Sequence, residues 1–331
     1  MEFQETIGID VSKPFIDAAI HTTKKHRRFK NTADGFCEML LWVSKNSKVK
    51  RQITLFAFEH TGLYSLPLSA FLSEKRLSYV LIPGLELKRS MGIVRGKDDR
   101  IDAKAIALYA YRRREEVTPY ALPSKRLLEL RKLLSLREKL VKQRTGFKST
   151  NTEIKGFLTR KDHAMYFTVH EEMIKTLNQQ IRAVERQLEL TIRAEKHLKQ
   201  MFDLIIGIKG VGAQTALFMI AFTNGFTLFP NFRKFASYAG IAPFPYQSGI
   251  SIQGKSKVHS FANKKFKSLL SNCAAIAIKC NPEMRMYYQR RISEGKGKMS
   301  TLNIVRNKLL ARIFAVVQRG TPYVNTMAYA S

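Results

Sequence analysis

The sequence predicts an α/β layer at the N-terminus, a long helical segment in the middle and a mainly α region at the C-terminus. Three observations predict it. Apolar runs of strand length alternate with helix-like stretches from Glu5 to Tyr111. No proline occurs between Pro123 and Pro230, where leucines and isoleucines keep helical spacing among dense Lys and Glu. Beyond Met201 glycines punctuate shorter helical patterns. The corresponding domains are 1–120, 121–200 and 201–331.

Taken in order, residues 5–31 read as two short strands joined at Ser12-Lys13-Pro14 and a basic third strand near Arg27–Lys30. A helix is expected over Ala33–Val43. Ile53–Phe58 is a continuous apolar run, as a central strand buried on both faces requires. Gly62–Ser73 has a helical pattern, and Ser78–Ile82 is a further buried strand stopped by Pro83-Gly84. A mixed sheet follows. Ala103–Tyr111 is helical. Leu127, Leu130, Leu134 and Val141, then Ile174, Leu177, Ile181, Val184 and Ile192, predict two long helices broken around Phe157–Thr168. They would pack as an antiparallel pair or as a coiled coil between protomers, an oligomerisation or spacer element.

The 331 residues carry a net charge of +31 with pI near 10.2, and 45% hydrophobic content is ample for ordinary cores. That excess makes a polyanion the expected partner. It is concentrated: Ser251–Gly320 holds 15 Lys and Arg against Glu283 and Glu294. No segment approaches the roughly 20 apolar residues of a membrane span, so DNA or RNA is favoured over lipid. The start Met1-Glu2-Phe3-Gln4-Glu5 lacks the pattern of a signal peptide. Cys37, Cys273 and Cys280 give neither a disulfide framework nor a zinc spacing. Cys273 and Cys280 read as buried helix residues, and a reducing cytoplasm fits.

Four carboxylates carry the chemistry. Asp10 ends the run Ile7-Gly8-Ile9, Glu59 ends Leu55-Phe56-Ala57-Phe58, and Asp99 and Asp102 stand three apart ahead of a helix. Strand ends that gather carboxylates in so basic a chain suggest a Mg²⁺ or Mn²⁺ site, because hard divalent cations take oxygen ligands and keep waters for phosphates. Either Asp99 or Asp102 could instead cap the helix. Asp10 alone would suit a turn and Glu59 a buried ion pair. Arg95, Lys97 and Arg100 would neutralise surplus negative charge and touch substrate phosphates.

Ile7-Gly8-Ile9-Asp10-Val11-Ser12-Lys13, Phe58-Glu59-His60-Thr61-Gly62 and Lys97-Asp98-Asp99-Arg100-Ile101-Asp102-Ala103 resemble the motifs of DEDD-type insertion-sequence transposases. That family includes Piv-type invertases and bridge-RNA-guided recombinases. The resemblance implies a ribonuclease-H-like (RuvC-like) N-terminal domain and metal-ligand roles for Asp10, Glu59, Asp99 and Asp102. Asp99 matches the third ligand better than its neighbour Asp98.

In the C-terminal region, Ile206-Gly207-Ile208-Lys209-Gly210-Val211-Gly212 looks like a helix-hairpin-helix, whose exposed N–H groups suit DNA phosphate. A plain αα-hairpin has the same pattern. Tyr246-Gln247-Ser248-Gly249-Ile250-Ser251 reads alone as a loop with turn serines. The block from Phe235 to Lys255 also resembles the transposase domain of the same family, and this implies that Ser248, or less closely Ser251, attacks DNA and forms a phosphoserine link. Lys209, Lys255, Lys257, Lys264, Lys265, Arg290 and Arg291 are the expected nucleic-acid contacts, with His259, Lys267, Arg285, Lys296 and Lys298 nearby. Tyr287, Tyr288 and Phe261 could stack on bases or fill the core.

The favoured expectation is a metal-dependent, site-specific recombinase or transposase acting on element ends and target DNA. The resemblance further implies a dimer or tetramer and a noncoding guide RNA. A junction-resolving nuclease using water would leave Ser248 without a role. An actin-like ATPase needs a second phosphate loop that is absent from the sequence. An architectural DNA-binding protein would give the strand-end carboxylates no purpose.

Overall fold

Ile7 and Ile9 face one side of a sheet while Gly8 and Asp10 face the other, and this alternation organises the first of two units, Met1–Leu122 and Pro123–Ser331. The structure is a computed structural model that describes residues 3–59, 62–90, 98–248, 252–258 and 262–324. In the first unit the strands are β1 (Glu5–Val11), β2 (Phe15–Ile20), β3 (His26–Lys30), β4 (Thr54–Glu59) and β5 (Tyr79–Ile82), in the order β3-β2-β1-β4-β5. The first three form an antiparallel meander, and β1, β4 and β5 are parallel. The mixed sheet therefore matches the expectation.

The helices α1 (Ala33–Asn46) and α2 (Leu66–Glu74) supply Phe36, Met39, Leu40, Val43, Leu68 and Leu72 to one face, against Ile7, Ile9, Phe56 and Phe58. Thr32 caps α1, its hydroxyl accepting from the Gly35 N–H at 3.4 Å. The second helix starts four residues later than expected, because Gly62 adopts φ 65° and Leu63–Ser65 complete a turn. A short helix not anticipated from the sequence, α3 (Gly84–Ser90), follows directly on Pro83. The other face is covered by α4 (Asp99–Arg112). Leu87, Ala57, Ile82, Ile106 and Ala110 form the small core there.

The second unit begins with α5 (Lys125–Ile154) and α6 (Ala164–Arg193), the expected pair of long helices, broken at 155–163. Leu127, Leu130 and Leu134 meet Val184, Leu188 and Ile192 in a core shared with later helices. These are α7 (Lys196–Ile206), α8 (Ala213–Phe222), α9 (Phe232–Tyr238), α10 (Lys264–Cys280), α11 (Pro282–Ser293) and α12 (Lys298–Arg319). Asn231, Asn263 and Asn281 each cap a helix by accepting from backbone N–H groups two or three residues on. Buried Phe235, Phe266 and Phe314 pack as one aromatic cluster.

The C-terminal region is mainly helical, as expected, and also holds an antiparallel hairpin of β6 (Pro243–Ser248) and β7 (Ile252–Val258). Cys273 is buried on α10 as expected, but Cys280 is exposed at that helix's end. Among the described residues no helix is long and apolar enough to cross a membrane.

Candidate functional site

A glycine lets α4 reach β1. A Cβ on Gly8 would fall on the Ala103 carbonyl and the Ala107 backbone, so the helix lies directly against the strand. Thr6, two residues earlier on the same face, anchors it with Oγ1 donating to the Ala107 carbonyl at 2.8 Å. The first turn of α4 then sits over the end of β1, where Asp10 follows Gly8 on that face.

Asp98 caps this helix, its carboxylate accepting from the Arg100 N–H at 3.0 Å. The capping role considered for Asp99 or Asp102 therefore falls one residue earlier. Both aspartates stand inside the first turn, and neither is the residue that caps it. Negative charge near a helix N-terminus is itself favourable.

Glu59 joins from β4. Gly8 pairs with Ala57 and Ile9 with Phe58 in the parallel register, so Glu59 ends its strand beside Asp10 on the α4 face. Its carboxylate rests against Gly84, at a point where any Cβ would overlap it.

Among these groups Asp10 has a changed acidity. Burial, then the neighbouring carboxylates of Asp99, Asp102 and Asp17, push Asp10 up to about 6. Asp17 was not foreseen. It lies directly opposite Asp10 in the β1–β2 register and is 4% exposed. The signal was present: one carboxylate interrupting the apolar strand Phe15-Ile16-Asp17-Ala18-Ala19-Ile20.

Arg28 on β3 is the resident cation. Its Nε donates to Asp17 at 2.9 Å and its Nη2 to Asp99 at 2.9 Å, while His26 contacts the other Asp17 oxygen at 2.8 Å. The bond it donates to Asp17 holds the Arg28 guanidinium above its ordinary pKa. Arg28 and Asp99 are each about half exposed, so their ion pair exchanges readily with solvent.

Among the described residues no three His, Cys, Asp or Glu side chains stand arranged to hold a metal ion. The donor chemistry nevertheless fits one. Four carboxylates at strand and helix ends offer hard oxygen ligands, and the raised Asp10 reflects first its burial and then the negative charge of its neighbours. Arg100 is exposed beside them. Lys97 and Arg95, with His60 and Thr61, lie outside the described residues.

In the second unit Ser248 ends β6, its backbone paired with Ile252 across the hairpin, rather than standing in a free loop. Lys255 and Lys257 lie on β7. Ser251, His259 and Phe261 lie outside the described residues. Lys209 is exposed in the turn between α7 and α8, where Gly210 at φ 98° presses onto Ala277. Lys264, Lys265 and Lys267 occupy the first turn of α10, where the helix dipole repels cations.

Not all expected contacts are free. Lys265 pairs with Glu138 at 2.8 Å, and Arg290 and Arg291 both engage Glu294. Tyr287 and Tyr288 pack against the core, with Lys308 over the Tyr287 ring at 4.1 Å.

An α/β unit with carboxylates at the ends of its central strands, in one chain with a strongly basic helical unit, fits an enzyme class acting on nucleic acid. Comparison with known proteins gives the family. Residues 7–161 match a transposase family of the DEDD type found in IS110 elements, and residues 203–289 match the transposase family of IS116, IS110 and IS902. The chain belongs to the IS110 family of transposases, enzymes that recombine DNA. It is 27% identical over 327 residues to the pilin gene-inverting proteins of Moraxella lacunata and Moraxella bovis, covering 96% of this chain and 97% of each relative. A 43.6 kDa protein of insertion element IS110 from Streptomyces coelicolor is 28% identical over 154 residues, 46% of this chain and 37% of that protein.

Proposed function

We propose that this transposase is a site-specific recombinase in which a metal-binding carboxylate cluster and a serine nucleophile cooperate on DNA. The carrying observation is Asp10, raised to about 6 beside Asp99, Asp102 and Asp17 at the end of the central strand. Carboxylates concentrated in this way bind divalent cations in preference to protons as pH rises. Asp10, Glu59, Asp99 and Asp102 would hold Mg²⁺ or Mn²⁺. Such ions polarise a scissile phosphate and favour deprotonation of an attacking hydroxyl. The strand order β3-β2-β1-β4-β5, antiparallel on one side and parallel on the other, supports a ribonuclease-H-like reading of this unit.

Ser248 would attack the phosphodiester through Oγ. The phosphorus–oxygen bond to one deoxyribose breaks, that hydroxyl leaves, and the protein holds the strand as a phosphodiester. Attack by another deoxyribose hydroxyl reverses the link, so strand exchange needs no ATP. Lys255 and Lys257 on the adjoining strand, with Lys209, Lys264 and Arg100, would hold backbone phosphates; Lys97, Lys265, Arg290 and Arg291 complete the basic set. The net charge of +31 also supports a noncoding guide RNA as a second polyanion. The long α5–α6 pair supports a dimer or tetramer.

The test incubates the protein with its native flanking DNA, a plasmid target and Mg²⁺, then resolves DNA that stays with protein in SDS. Wild type should form the adduct, and Ser248→Ala and Asp10→Ala should not. Cleavage without adduct, unaffected by Ser248→Ala, would replace the serine with water as nucleophile.

A further inference from the structure

The last part of the chain is almost without acids. From Leu204 onward the sequence contains Glu283 and Glu294 and no other carboxylate side chain, the segments outside the described residues included. Both are already engaged. Glu283 accepts from Arg312 and, at 2.9 Å, from the Tyr323 hydroxyl, and Glu294 pairs with Arg290 and Arg291.

Among the described residues Arg306 on α12 has no counter-charge. It is 5% exposed and is the basic residue among the buried polar side chains of the described residues. Its Nη1 donates to the Asn303 amide oxygen at 3.3 Å, and its Nε is enclosed with no acceptor among the described residues. Burial pushes its pKa down, with no carboxylate acting in the other direction. Removing a guanidinium from water without an opposing charge is among the costlier arrangements a fold can keep.

Its position gives the arrangement a use. Asn303 and Asn307, on the same face of α12, donate to the Ile241 carbonyl at 2.8 and 3.0 Å. Ile241 lies two residues before β6. Gly240, at φ 66°, packs against Ala262 just ahead of α10. The Arg306 turn thus braces the base of the β6–β7 hairpin, close to the lysine-rich start of α10.

We propose that Arg306 is a phosphate-receiving residue, completed by a nucleic-acid backbone phosphodiester at the base of the β6–β7 hairpin. The planar guanidinium fork matches phosphate oxygens, and Asn303 and Asn307 fix the helix turn that presents it. The inference rests on membership of a DNA-recombining family and is independent of which residue attacks the strand. Arg306 binds and positions substrate; it does not touch the reacting atoms.

The test uses the full chain and the variants Arg306→Met and Arg306→Lys. Affinity for a random-sequence DNA duplex and for a single-stranded RNA is measured by fluorescence anisotropy across a salt series. Urea midpoints are measured without nucleic acid, with and without inorganic phosphate. Arg306→Met should weaken binding about tenfold. It should also reduce the slope of log affinity against log salt by about 0.9 for duplex DNA or about 0.7 for single-stranded RNA. The arm that changes identifies the source of the phosphate.

The phosphate-free midpoint of Arg306→Met should equal or exceed that of wild type, and phosphate should stabilise wild type more than the variant. Arg306→Lys should keep the salt slope. If Arg306→Met fails to fold, Arg306→Gln takes its place in every arm. Wild-type slopes in both arms would overturn the proposal. So would a lowered midpoint with unchanged slopes, since that marks a purely structural arginine. Ser248→Ala should retain the wild-type slope, which separates failure of this inference from failure of the serine assignment.

Discussion

Replacing Asp10 with asparagine should make the metal-free protein more stable, by an amount that depends on pH in a defined way. The folded state holds the Asp10 proton to about 6, against 3.8 for the unperturbed group. Between those values the folded protein binds a proton that the unfolded chain has released. Stability contributed at this site therefore falls as pH rises through that window and levels off above it. At 1.36 kcal/mol per unit the full penalty is about 3 kcal/mol at pH 7.5 and about 0.5 kcal/mol at pH 4. Solvent screening at a half-buried carboxylate reduces the first figure to about 1–2 kcal/mol. Asn cannot ionise and escapes the penalty. The assay is urea unfolding with a chelator present, following the transition of the N-terminal unit for wild type and Asp10→Asn at pH 4.5 and 7.5. The variant should gain stability at pH 7.5 and lose most of that advantage at pH 4.5. Equal effects at both pH values, or a destabilised variant at pH 7.5, would refute the burial and crowding of charge at Asp10 on which the metal site rests.

Further outcomes follow from the same geometry. Gly8→Ala puts a methyl into the α4 backbone and should cost the N-terminal unit about 1–3 kcal/mol in urea and abolish DNA cleavage, leaving the transition of the helical unit in place. Gly84→Ala displaces only the end of the Glu59 side chain; circular dichroism should stay unchanged while Mn²⁺ affinity, read by calorimetry, drops. Asp98→Ala removes the cap and should lower stability by about 1 kcal/mol with cleavage retained, whereas Asp99→Ala should lose cleavage; the opposite pattern would assign the ligand to Asp98.

Much of the N-terminal unit was legible because its strands are apolar runs and its helices carry amphipathic spacing. Register was not legible. That Asp17 faces Asp10, and that Asp98 rather than Asp99 or Asp102 closes the helix, depends on pairings and cap geometry that residue spacing alone leaves open. The β6–β7 hairpin was missed because Pro243, Pro245, Gly254, Lys255 and Lys257 interrupt the alternation that marks a strand. The α3 helix was missed because seven residues behind Pro83 are too short for a periodic signal. In the sequence nothing sets Arg306 apart from the other Lys and Arg of Ser251–Gly320. Its lack of a counter-charge emerges only when burial and the positions of Glu283 and Glu294 are known together.

The most direct test of the central claim is mass spectrometry of the protein–DNA adduct after nuclease and trypsin digestion. The account predicts a deoxynucleotide phosphate on the peptide 235–255, with fragmentation locating it on Ser248. The same mass addition on Ser251 or on another residue, or cleaved DNA with no modified peptide, would contradict it.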